Sequence, residues 1–209
     1  MQLLKSLNWR YATKKFNSTK KINDSNIVLI EEAVRLSASS YGLQPYKILK
    51  IENPEVRKKL QPVSWNQSQI VDASHLYVFC SYLDLSDEMV NEYVKRKADL
   101  QKTSIDRLEG YKAFIKEKLK EKTKEDLQHW TAKQTYIALS NMLTACGELN
   151  IDSCPIEGFE ANSYDKILDL TKKGLTATVV MTLGYHAVDD HNFNMTKVRK
   201  PLNELFETI

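Results

Sequence analysis

The 209-residue chain is 42% hydrophobic and 27% charged, with a formal net charge of +3. This is a globular composition, long enough to bury a large core and fitting a single domain over residues 1–209. So small a net charge, with no block of five like charges, gives no ground for a nucleic-acid or membrane partner.

In chain order, residues 2–8 read as a short helix leading into Asn8-Trp9-Arg10-Tyr11-Ala12-Thr13-Lys14-Lys15-Phe16, where cations alternate with aromatics. If this stretch is helical, Arg10 and Lys14 share a face; if extended, Arg10, Ala12 and Lys14 do. Either way two cations can converge on one anion. Asp24 or Ser25 can cap a helix carrying Ile27, Ile30, Ala33 and Val34 at helical spacing. The small polar loop Ala38-Ser39-Ser40-Tyr41-Gly42-Leu43-Gln44-Pro45 follows, offering hydroxyls and amides.

Residues 46–51 read as a strand, and Asn53-Pro54-Glu55 opens a helix with Pro54 in its first turn. A helix expected over residues 64–72 puts Asn66 and Gln69 on one face, where two neutral amides can read the edge of a heterocycle. His75–Tyr82 is a strong strand signal. Residues 84–124 are highly charged and helical in composition, with Tyr111 and Phe114 spaced either to pack or to line a mouth. The following segment, roughly 131–149, is apolar nearly all round and so reads as a buried helix. Its charge-free run between Lys133 and Glu148 is too short and too polar to span a membrane. It ends in Cys154-Pro155-Ile156-Glu157-Gly158-Phe159, read as a rigid Pro…Gly turn. A short helix near 162–169, a β-branched strand over 176–185 and a tail with Lys197, Arg199 and Lys200 complete the chain.

Three strands and about six helices predict an α+β architecture. No G-x-G-x-x-G, P-loop or G-x-S-x-G motif occurs. The four histidines lack zinc spacing, and Cys80, Cys146 and Cys154 are odd in number and set in apolar segments. They read as reduced buried thiols in a cytoplasmic protein, and no metal is expected. Residues 1–5 hold no long apolar run, so no secretory leader is expected. What remains is an N-terminal cation pair, two amides, a backbone turn and a C-terminal cation cluster. That set suits a site where a bound cofactor performs the reaction and the protein supplies anchoring and electrostatics.

Five motifs in order, Arg10-x-x-Thr13-Lys14-x-Phe16, Ser37-x-Ser39-Ser40-x-x-x-Gln44-Pro45, Asp72-Ala73-Ser74-His75, Pro155-Ile156-Glu157-Gly158-Phe159 and Lys197-x-Arg199, resemble the FMN-dependent nitroreductase family. More narrowly, the chain looks like its oxygen-insensitive NAD(P)H nitroreductase and dihydropteridine reductase branch. The resemblance implies a mostly antiparallel central sheet surrounded by helices, in an entwined homodimer with FMN at the interface. It further implies NADH or NADPH as reductant and nitroaromatic or quinone acceptors, reduced by a ping-pong hydride transfer. Related flavin chemistry, such as pteridine reduction or dehalogenation, is the alternative, and a non-catalytic flavin-binding dimer is another.

By the same resemblance, Arg10, Lys197 and Arg199 would hold the FMN phosphate, with Tyr11 and Ala12 beside them. Lys14, Asn66 and Gln69 would meet the ring edge. Pro155, Ile156, Glu157 and Gly158 would lie along the ring, with the backbone amides of Glu157 and Gly158 near its N5 and no catalytic side chain. Ala38, Ser39, Ser40 and Gly42 would come from the partner subunit, and Tyr41 and Phe114 would border the substrate. Ala12 stands where the family has a serine, and Gln69 where this branch has a lysine.

Overall fold

A computed structural model describes all residues, Met1–Ile209. Helix α1 (Gln2–Trp9) leads into an extended segment, and α2 (Asp24–Arg35) follows. The α2 cap is Asn23 rather than Asp24 or Ser25: its side chain accepts the Asn26 amide N–H at 2.8 Å. Strand β1 (Tyr46–Lys50) precedes α3 (Pro54–Leu60), which Asn53 caps and Pro54 starts. The short α4 (Gln69–Asp72) leads into β2 (His75–Tyr82).

The charged region is two helices, α5 (Asp87–Gln101) and α6 (Glu109–Lys120), joined through a short 3₁₀ turn. Helix α7 (Lys124–Glu148) is longer than its apolar stretch because Thr123 caps it upstream, accepting from the Asp126 amide. It is not buried all round. Ala138, Leu139, Met142 and Cys146 face the core, while Tyr136 and Ile137 are exposed.

Residues 152–156 correct the turn expected there. They form β3 (Asp152–Ile156), paired antiparallel with the long last strand. Proline is tolerated on an edge strand, and β3 is one. Then come α8 (Ala161–Ile167), β4 (Leu175–Gly184) and, in the tail, α9 (Leu202–Leu205). The sheet is antiparallel throughout, in the order β1-β2-β4-β3. No helix is long and apolar enough to cross a membrane.

Strand periodicity divides the core in two. Leu76, Val78 and Cys80 of β2 face one way with Cys154 and Ile156, against Leu60, Ile70 and Tyr164. Tyr77 and Phe79 face the other way, against Ile30 of α2 and Ala138, Met142 and Cys146 of α7. In β4 the parity changes partway: Leu175 and Ala177 share the first face with Val180, while Val179, Met181 and Leu183 take the second. The cause is a register shift opposite Phe79–Cys80, where Thr178 is the extra residue of a bulge.

Arg57 ties α3 to α4 from inside this core. It is buried, with its Nε donating to Ile70 O at 2.7 Å and its Nη2 to Ala73 O at 2.6 Å. Burial lowers its pKa, opposed by Asp72. The Asp72-Ala73-Ser74-His75 motif therefore has a structural basis: Ala73 O accepts from Arg57, and Ser74 Oγ accepts the Ile22 amide N–H at 2.9 Å. We expect Arg57→Met to keep the aliphatic packing but leave two buried carbonyls unpaired, lowering stability by about 2–4 kcal/mol. A urea midpoint within error of the parent protein would show that these carbonyls find other donors.

Candidate active site

The site begins where the chain leaves α1. Residues from Arg10 onward are extended, with Arg10 at φ −64°, ψ 141°. Ala12 bridges Ser153 of β3 in parallel, Thr13 N–H donates to Ser153 O at 3.2 Å, and Phe16 bridges His186. Of the two readings of this segment the extended one holds, so Arg10, Ala12 and Lys14 alternate with Tyr11 and Thr13.

The tail after β4 folds back on the same segment. Asp190 accepts from the Tyr11 hydroxyl at 2.8 Å and from the Lys14 amide at 3.1 Å. His186 is fixed by Asp152, whose Oδ2 lies 2.8 Å from both its backbone and its ring nitrogen, and Phe193 stacks on the imidazole at 4.0 Å. This return brings Lys197 to the C-terminal end of α1, where its ammonium donates to the carbonyls of Leu7 and Arg10.

A cavity of about 410 Å³ results, lined by Arg10, Tyr11, Ala12, Lys197, Arg199 and residues 192–196. Its electrostatics are one-sided. Burial, then the charge of Arg199, lowers the pKa of Arg10; burial, then Arg10 and Arg199, lowers that of Lys197. The hydrogen bonds made by the Lys197 and Arg199 side chains go to backbone carbonyls, not to carboxylates. Arg10 Nε, Thr13 Oγ1 and Ser153 Oγ are buried without a partner. Like charges around one cavity, with the unpartnered Arg10 Nε among them, are the donor set that a phosphate dianion satisfies.

Beside it, Lys14 Nζ lies 4.0 Å from Cys154 Sγ on β3. Burial pushes the Cys154 thiol pKa up, and both Lys14 and Gln69 oppose that shift, so the three side chains meet at one point. Asn66 and Gln69 do not share a helical face. Residues 62–64 form a 3₁₀ turn, Trp65 and Asn66 are left-handed at φ 55°, and α4 starts only at Gln69. The interruption is built by Ser64, whose hydroxyl pairs with Leu60 O and Tyr164 Oη at 2.7 Å, and by Asn66 N–H, which donates to Gln61 O. Gln69 ends buried and Asn66 exposed.

Beyond β3, Glu157 accepts the Tyr136 hydroxyl at 2.6 Å. The Tyr136 pKa is pushed up to about 12 by burial and by that carboxylate. Gly158 lies under Trp65: a Cβ there would sit 2.7 Å from the indole. Gln67 Nε2 fixes the same turn, donating to Gly158 O at 2.8 Å and Ser64 O at 3.0 Å. Trp65 and Gln67 were not legible as site residues, because an aromatic in an apolar-poor turn looks the same in sequence whether it packs inward or stands exposed.

Ala38, Ser39, Ser40 and Gly42 lie elsewhere. Their loop leads into β1, at the opposite edge of the sheet from β3. Ser40 N–H is not free: it donates to Gln134 Oε1 at 2.9 Å. Tyr41 and Phe114 do meet, edge to face at 6.1 Å. One chain thus assembles Arg10, Tyr11, Ala12, Lys14, Gln69, Pro155–Gly158, Lys197 and Arg199 at one sheet edge, and Ala38–Gly42 with Phe114 at the other.

The family model described as "Nitroreductase family" matches residues 7–185. YfkO of Bacillus subtilis (strain 168) is 36% identical over 199 residues, covering 90% of each chain. The oxygen-insensitive NAD(P)H nitroreductase of Enterobacter cloacae is 30% identical over 205 residues, covering 94% of each chain. Among solved structures, one from Exiguobacterium sibiricum in complex with FMN superposes with a TM-score of 0.85 at 18% identity, over 99% of this chain and 97% of that one. With the model match running from the end of α1 to just past β4 and relatives similar along nearly their whole length, the chain belongs to the nitroreductase family.

Proposed function

We propose that this chain is an NAD(P)H-dependent flavin oxidoreductase that reduces nitroaromatic, quinone or related acceptors. The observation that carries the reading is the cavity at Arg10, Lys197 and Arg199, whose cations have only each other and backbone carbonyls for company. FMN bound there would supply the redox chemistry, accepting hydride from NADH or NADPH and returning it to the acceptor in a second half-reaction.

Arg10, Lys197 and Arg199 hold the phosphate, and Tyr11 and Ala12 form the adjoining wall. Thr13 and Ser153, with their unpartnered hydroxyls, lie next to that wall. Lys14, Asn66 and Gln69 serve the polar edge of the ring. Pro155, Ile156, Glu157 and Gly158 would form a shelf along the ring, where the backbone amides of Glu157 and Gly158, not a side-chain acid or base, would serve the reaction. Tyr136 and Gln67 hold that shelf from its two sides. Fixing a flat substrate against a flat shelf supplies much of the rate effect by orientation.

A second copy of the chain completes the site. The loop carrying Ala38, Ser39, Ser40 and Gly42 lies across the sheet from the phosphate cavity, so it reaches a flavin only in a partner's cleft. Exposed apolar side chains on α1 (Leu3, Leu4, Leu7), α7 (Tyr136, Ile137) and the tail (Leu202, Leu205, Phe206) are the surface such a dimer would cover.

The purified protein is expected to take up FMN, to have that flavin bleached anaerobically by NADH or NADPH, and to give parallel lines when both substrates are varied. A colourless protein that refuses FMN would overturn the reading, and intersecting lines would overturn the ping-pong order.

Gln69→Lys adds a cation where Lys14 and Cys154 meet. It should stabilise the anionic reduced flavin and raise the two-electron potential by about 30 mV, the equivalent of ~1.4 kcal/mol. An unchanged or lower potential would count against Gln69 lying beside the ring.

Glu157→Gln keeps an acceptor for the Tyr136 hydroxyl and should retain most hydride transfer. Gly158→Val drives a branched side chain into the Trp65 indole and should weaken FMN binding by about tenfold. Equal FMN affinity in the two variants would place the shelf elsewhere.

A further inference from the structure

The loop from Ser37 to Pro45 is more tightly strapped than a connector needs to be. Three of its residues in a row of four have left-handed backbone: Tyr41 at φ 58°, Gly42 at φ 78° and Gln44 at φ 45°. Glycine takes such a conformation freely, but an aromatic residue does so rarely and only when its surroundings hold it there.

The holding contacts come from three helices. Ser40 N–H donates to Gln134 Oε1, and Asn141 Nδ2 donates to Ser37 Oγ at 2.8 Å, both from α7. The Tyr41 ring sits edge-on to Phe114 of α6 and 6.1 Å from Trp130 of α7. Tyr93 of α5 fills the space beside Gly42: its hydroxyl oxygen would lie 2.8 Å from an added Cβ. One bond reaches the strained residue's own backbone. The Tyr111 hydroxyl of α6 donates to Tyr41 O at 3.1 Å. The Tyr111 ring is in turn held under Lys97 of α5, whose ammonium is 4.6 Å from its centroid.

We propose that Tyr111 is a positioning residue for the substrate mouth: by fixing the Tyr41 carbonyl it keeps the Tyr41 ring against Phe114 and so sets how tightly the enzyme takes flat acceptors. The proposal rests on the flavin oxidoreductase reading above. The physical argument is one of coupling. A Tyr41 backbone that leaves the left-handed region carries the ring away from Phe114, and the Tyr111 hydroxyl is the one side-chain donor on the carbonyl that holds it there. Removing the donor therefore loosens the ring without removing any group that meets substrate or cofactor. Because α5 and α6 carry Tyr93, Lys97 and Tyr111, substitutions in this charged hairpin would alter acceptor binding without touching the acceptor.

The test is steady-state kinetics of the FMN-loaded Tyr111→Phe dimer with menadione and with nitrofurazone. The KM for these acceptors is expected to rise about fivefold, the usual weight of one such hydrogen bond, at unchanged kcat and FMN affinity and with the melting temperature lowered by no more than about 4 °C. In a Tyr41→Gly background, which has no ring for Tyr111 to hold, the same change should have no further effect on KM. An unaltered acceptor KM in the single variant overturns the proposal, as does an equal rise in both backgrounds. A lowered melting temperature with unaltered KM likewise overturns it, since Tyr111 would then serve stability alone. Parent protein that neither binds FMN nor oxidises NADH or NADPH would overturn the underlying reading and this proposal with it, so the two failures are distinguishable.

Discussion

The antiparallel pair β2–β4 is the constraint on which the rest of the molecule depends. Both strands are buried on both faces, and they separate the apolar side chains into one set against α3, α4 and α8 and another against α2 and α7. Burying each large side chain contributes roughly 1.5–3 kcal/mol, so a slip of one residue would move a whole row to the wrong side and cost far more than the fold can spare. The bulge at Thr178 is the one place where the register changes, and it lets two runs of opposite parity in β4 serve the same two faces. With this pair fixed, β1 and β3 have only the outer positions left, and the two halves of the proposed site follow them to opposite edges.

At the β3 edge, stability and binding pull against each other. Arg10, Lys197 and Arg199 repel one another, and buried polar atoms at Arg10, Thr13 and Ser153 go unpaired. A fold selected for stability alone would not gather these groups. They are held together by neighbouring contacts: Asp190 with Tyr11 and the Lys14 amide, Asp152 Oδ2 with His186, and the Lys197 ammonium with the carbonyls of Leu7 and Arg10. Such a site is preorganised for an anion, because the cost of assembling like charges is met during folding and not at the moment of binding.

At the β1 edge the strain is in the backbone rather than in charge. Tyr41 and Gln44 hold conformations that glycine would adopt more readily, kept in place by α5, α6 and α7. Trp65 and Asn66, near β3, show the same feature in two consecutive residues. Both strained turns present aromatic rings, which fits a site for flat substrates.

Much of this was legible from residue order. The strands at 46–50, 75–82 and 175–184 announce themselves by alternation and β-branching, and Pro54 marks the start of α3. The cation pair, the Pro…Gly segment and the Lys-x-Arg tail point to an anchored cofactor before any coordinates are known. Three things needed the tertiary structure. Residues 152–156 become a strand because β4 offers them an open edge, which no local signal at Pro155 reveals. Asn66 and Gln69 separate because Tyr164, a hundred residues away from Ser64, stabilises the turn between them. Lys14, Gln69 and Cys154 converge because the N-terminal segment crosses β3 at Ser153. Periodicity and capping act between neighbours in sequence, and so the chain alone determines its elements and its supply of charged groups. Which of those groups meet is decided by long-range pairing, since it depends on the order in which strands find edges to occupy.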